Sequence, residues 1–143
     1  MASCEVTSSI TSVLAGQIVL LIGGQSRESA RQRLESQLRL RGAVHCPTQS
    51  HDASSRRFQS RIDRNDALLV VWIAGLSRTH HGECIRSRCR ALRIPFIQCN
   101  RIPHPSALID HLLRLHLVPA LEHRAGLIRS AAHASEAAAG AVS

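Results

Sequence analysis

His80 and His81 stand side by side, with Cys84 close behind and Cys99 further along the chain. Imidazole nitrogen and thiolate sulfur are the ligands that zinc and haem iron take, so these four residues are a candidate metal or haem site. The set fits no established zinc spacing, and adjacent histidines in a polar stretch are more often surface residues. The other cysteines do not extend it: Cys46 belongs to a distant strand, and Cys89 falls on an apolar helical stripe with Ile85 and Leu92. Five cysteines without a C-x-x-C pair, in a sequence without a secretory signal pattern, point to reduced thiols in a cytoplasm.

A second chemistry is anion binding. Gly23-Gly24-Gln25-Ser26 follows an apolar run and opens a helical pattern, and the N–H groups at a helix start hold anions well. The stretch Gly75 to Gly82 reads as a loop and adds Ser77, Arg78, Thr79, His80 and His81. Gly-Gly is not a full G-x-G-x-x-G, and its plainer reading is a tight turn.

Charge supports the anion reading in kind. All 18 basic residues are Arg, against 10 acids, and no Lys occurs. Guanidinium pairs bidentately with carboxylate and phosphate. The absence of Lys excludes Schiff-base chemistry and a G-x-x-x-x-G-K phosphate loop. The plainer reading is GC-rich coding on a solvated surface. Trp72, Phe58 and Phe96 are the only aromatics, which removes the base-stacking platforms of most single-strand binders.

These residues must be positioned by a small α/β domain. Gln17–Ile22, Ala43–Cys46, Ala67–Ile73 and Pro95–Cys99 read as strands, the first and third apolar throughout, as parallel strands buried on both faces are. Helical stripes lie between them: Ala30, Leu34 and Leu38, with Ser26 as cap and Gly42 as stop; Phe58 and Ile62; Ile85, Cys89 and Leu92. Leu108, Leu112 and Leu115 mark a fourth helix, and Pro119 starts another that fades into an Ala-rich tail. Such alternation predicts a Rossmann-like open parallel sheet of four strands, order 2-1-3-4, with helices on both faces and a C-terminal helical extension. The expected divisions are 1–16 as a mobile arm or short leading helix, 17–118 as the domain, and 119–143 as helix and tail. No apolar run is long enough to span a membrane.

In such a sheet ligands bind beyond the carboxyl ends of the strands, where the winding reverses. That point joins the Gly23–Ser26 and Gly75–Gly82 loops. Right-handed crossovers also put the second and third helices on one face. Arg57, Arg61 and Arg64 on one, and Arg86, Arg90 and Arg93 on the other, follow i, i+4, i+7 spacing and predict a single basic face.

The order of these stretches resembles the bacterial domain-of-unknown-function family 2325, a Rossmann-like group, over about residues 17–100. The corresponding stretches are Ile18 to Gly24, Gly42 to Cys46, Asp66 to Ile73, and Arg86 through Phe96. Arg86 stands where the family has Lys, Cys89-Arg90 where it has Cys-Lys, and Thr79 at its His position, with His80 and His81 following. The resemblance implies the fold and the site location and no particular activity.

The expectation is a binding or regulatory module for an anionic, phosphate-bearing ligand or nucleic acid, held at the switch point and on the Arg-rich face. The alternative is a metal-, haem- or thiol-based sensor or enzyme using His80, His81, Cys84 and Cys99. An acidic protein partner, or a second copy of the chain, is the remaining candidate. An ordinary enzyme is the weakest reading: no Ser-His-Asp context, paired carboxylates or dinucleotide fingerprint occurs.

Overall fold

The computed structural model describes residues 9–24, 27–46, 56–73 and 79–142. A short helix α1 (9–14) leads into β1 (Ile18–Gly23). There follow α2 (Glu28–Gln37), β2 (Gly42–Cys46), α3 (Arg56–Ile62) and β3 (Ala67–Ile73). The chain continues through α4 (Thr79–Leu92), β4 (Phe96–Cys99), α5 (Pro105–Arg114) and α6 (Val118–Val142). The four strands form one parallel open sheet in the order β2-β1-β3-β4, as the alternation predicts.

The sheet is built around its two most apolar runs. Every residue of β3 is buried, and β1 is buried from Val19 onward, with Leu20 opposite Val70 and Ile22 opposite Trp72. Strands with no wet face need covering on both sides. Helices α1, α2, α5 and α6 supply one cover through Ile10, Leu14, Leu34, Leu108, Leu112 and Leu121. Helices α3 and α4 supply the other through Phe58, Ile62, Ile85 and Cys89. Right-handed crossovers require this division.

Within the expected mobile arm or short leading helix, residues 9–14 are helical, and Ile10 and Leu14 are fully buried. Three local expectations change. The expected loop Gly75 to Gly82 gives way to helix at Thr79, so the backbone of Thr79, His80 and His81 is helical. A glycine at position 82 costs a helix about 1 kcal/mol, which the buried Ile85 and Cys89 outweigh. The Ala-rich segment does not fade: α6 is helical to Val142. Finally, Gly42 begins β2 instead of stopping α2.

What stops α2 is Arg39, in the left-handed region at φ 53°. Its N–H donates to Ser36 O, and that of Leu40 donates to Glu35 O, a Schellman closure with buried Leu40 as its apolar member. Arg93 (φ 59°) and His116 (φ 54°) close α4 and α5 in the same way, through Ile94 to Cys89 O and Leu117 to Leu112 O. Asn65 (φ 59°) follows α3. Glycine normally holds such positions, and this chain uses none there.

Two side-chain anchors hold distant parts together. Arg124 of α6 is only 3% exposed, yet it reaches the amino end of β3. Its Nε donates to Ala67 O at 3.0 Å, and its Nη2 donates to Asn65 O and Oδ1 at 3.1 and 2.8 Å. Burial pulls its pKa down, opposed by the charge of Asp66. The other anchor caps the β2 edge at Ala43. Ala43 N–H donates to Glu35 Oε2 at 3.1 Å, and Arg31 Nη1 donates to Ala43 O at 2.9 Å and to Glu35 Oε2 at 2.7 Å. The outward main-chain groups of Ala43 are thereby satisfied from α2.

Two predictions follow from this geometry. Arg93→Gly and His116→Gly should each raise stability by about 0.5–1 kcal/mol in urea unfolding, by relieving left-handed strain. Gly24→Ala should instead cost about 2 kcal/mol, since Gly24 has φ 69° and a Cβ there would lie 2.8 Å from Ile73 Cγ2. The second concerns acid. The Ala43 N–H, and next the Arg31 guanidinium, hold the Glu35 carboxyl below its usual range. A depressed carboxylate stabilises above its unfolded pKa, and that contribution is lost as pH falls through the lower, folded value. Glu35→Gln should therefore be less stable than the parent at neutral pH, with the gap narrowing on acidification below about pH 4.3.

Candidate anion-binding site

A candidate site lies at the carboxyl ends of the strands, where the glycine loop of the sequence reading also ends β1. Gly23 and Gly24 both have positive φ (101° and 69°), and the close approach of Gly24 to Ile73 gives this glycine a packing reason. Gly23 O lies 2.7 Å from His45 Nε2, which ties the end of β1 to β2. Ser26, Ser77 and Arg78, and the side chains of Thr79, His80 and His81, lie outside the described residues. The N-cap of α2 is Arg27, with no side-chain cap bond.

Beside this turn, on the α2/α5 side, opens a crevice of about 760 Å³. Arg27 and Arg33 come from α2 and its cap, Arg101 follows β4, and His104 and His111 come from the cap and body of α5. Gln98, Cys99 and Asn100 also line it, and among the described residues no carboxylate does. Arg27, Ala30 and Arg33 recur every third residue, so one side of α2 presents both guanidiniums, with the small Ala30 between them. Arg27, Arg33, Arg101 and His104 are exposed and available to a ligand.

Two helix starts border the same space, α2 at Arg27 and α5 at His104, and their partial positive ends favour an anion. His104 Nδ1 accepts the Ser106 N–H at 3.2 Å. In the neutral ring the proton therefore sits on Nε2, leaving that nitrogen as a donor.

The sequence-derived metal set is not assembled by the described residues. Cys84 is exposed on α4 beside Glu83, Ser87 and Arg88. Cys99 packs toward the α2/α5 core, on the opposite face of the sheet, and burial raises its thiol pKa. Among the described residues no three His, Cys, Asp or Glu side chains form a metal-holding group.

The predicted basic stripes are partly occupied by structural pairs. Arg61 is bound to Asp66 at 2.7 Å and is mostly shielded. Its neighbour Arg88 pairs with Asp63, whose carboxylate raises the guanidinium pKa by hydrogen bonding. Arg64, Arg86, Arg90 and Arg93 are exposed without a carboxylate partner among the described residues, and Arg86 lies 5.4 Å from the centre of the Phe96 ring. The side chain of Arg57 is outside the described residues.

Arg27, Arg33, Arg101, His104 and His111 were not singled out by sequence reasoning. The signal for two of them was available: Arg101 and His104 follow the fourth strand, at the edge where parallel sheets bind ligands. No family model, curated protein or solved structure matches this chain.

Thiol reactivity checks the assignment of the cysteines. Burial pushes the Cys89 thiol up to about 12, so it should resist a thiol reagent near pH 8 until the chain is unfolded. Exposed Cys84 should label in the native state, and peptide mapping by mass spectrometry distinguishes the two.

Proposed function

We propose that this protein is a binding module for a small phosphate-bearing ligand, held in the crevice between α2, the end of β4 and α5. The observation that carries this reading is the lining itself: Arg27, Arg33, Arg101, His104 and His111, with no opposing carboxylate among the described residues. Guanidinium forks match phosphate oxygens bidentately, and helix starts add fixed partial charge. Concavity favours a compact ligand over a polymer backbone, which would follow a convex or extended surface. Kinship with family 2325 belongs to the same proposal and adds no reaction to it.

Inorganic pyrophosphate is the simplest probe. At low salt it should raise the unfolding midpoint, by an amount equivalent to about 2.7 kcal/mol at a hundred times Kd, and shift the backbone amides of Arg27, Arg101 and His104. The Arg27→Gln/Arg101→Gln double variant should bind about a hundredfold more weakly while unfolding at the parent's midpoint without ligand. Amide shifts confined to α3 and α4, or stabilisation unchanged in the double variant, would overturn the reading.

A further inference from the structure

An open parallel sheet has two edges, and this protein treats them differently. At the β2 edge, the outward N–H and C=O of Ala43 are taken by Glu35 and Arg31. At the β4 edge no described residue plays that part. Val70 N–H donates to Pro95 O, so the main-chain groups of Pro95 and Ile97 face β3. Strand alternation then turns the N–H and C=O of Phe96 and Gln98 outward. Unpaired edge groups are a template for one more strand.

Chemistry along this edge selects what that strand carries. A groove of about 530 Å³ follows β4, lined on one side by Arg86 and Arg90 of α4 and on the other by His111 of α5 and Leu115 at its C-cap. Arg86 and Arg90 have no carboxylate partner among the described residues, and Phe96 sits under Arg86. Leu115, expected on the buried stripe of α5, is 50% exposed. An added strand points alternate side chains to opposite faces of the sheet. One set meets the two guanidiniums; the other meets Leu115.

We propose that the β4 edge docks an extended segment of another protein in which acidic and apolar residues alternate, added as a fifth strand. Main-chain bonds to Phe96 and Gln98 supply affinity, and the two unlike walls supply specificity. A second copy of this chain is the poorer occupant: two-fold pairing of β4 with β4 would bring Arg86 and Arg90 against their own counterparts. This proposal is independent of phosphate binding in the neighbouring crevice, although Gln98 and His111 border both.

The test uses the full chain and short fluorescent peptides: alternating Glu and Val, the same composition with Glu and Val in separate blocks, and alternating Lys and Val. Anisotropy at low ionic strength should show the alternating acidic peptide binding at least about tenfold more tightly than either other peptide. It should slow hydrogen exchange at the amides of Phe96 and Gln98. Gln98→Pro removes an outward N–H without breaking the β3 ladder, and edge strands tolerate Pro; it should weaken binding about tenfold with an unchanged unfolding midpoint. Arg86→Gln/Arg90→Gln should weaken it similarly, while pyrophosphate shifts at Arg27 and Arg101 persist. If the proline variant fails to fold, the exchange measurement on the parent decides the matter. Equal binding of the block peptide, unprotected edge amides, peptide shifts confined to Arg27, Arg33 and Arg101, or self-association through β4 each overturn the proposal. So does a short DNA duplex that protects the same edge more strongly than the acidic peptide.

Discussion

The parallel pairing of β1 with β3 is the constraint on which the remaining structure depends. Both strands are apolar on both faces, so neither face of the sheet centre tolerates water. Cover must arrive from helices on each side, and crossover handedness decides which helix covers which face. The pair also sets the site. Its carboxyl ends bring Gly24 against Ile73, and Arg27 and Arg33 of α2 and its cap line the candidate crevice at that end of the sheet. Burying Ile10, Leu14 and Leu121 against the same centre recruits both terminal helices into the domain.

A chain with eighteen arginines and no lysine puts guanidinium to several uses. Arg124 donates into main-chain carbonyls at the amino end of β3, where a buried cation must have its hydrogen bonds satisfied. Arg31 serves an edge strand, Arg61 and Arg88 pair with carboxylates beside α3, and Arg114 pairs with Asp110 along α5. Removing these from the surplus leaves a smaller set whose charge is unanswered by the described residues. Arg27, Arg33 and Arg101 gather at the crevice, and Arg86 and Arg90 at the neighbouring groove. Both concavities border β4, which is the short edge of the sheet and the one that no described residue caps. Net charge alone therefore describes this surface poorly; position matters more.

By itself, the sequence determined the parts whose cause is local. A run such as Ala67–Ile73 must be buried on both faces wherever it sits, and stripes such as Leu108 and Leu112 must face a core. Few topologies join such elements with short right-handed crossovers, so the strand order was legible as well. The left-handed helix ends at Arg39, Arg93 and His116 were not, because no glycine marks them and packing of Leu40, Ile94 and Leu117 imposes them. Tertiary structure alone decided which arginines are spent on internal contacts, that the β2 edge is capped at Ala43, and that residues as far apart as Arg27 and His111 enclose one space. Periodicity reports how a segment meets the core. A site spanning α2, β4 and α5 depends instead on strand register and helix placement, which exist only once the segments are packed together.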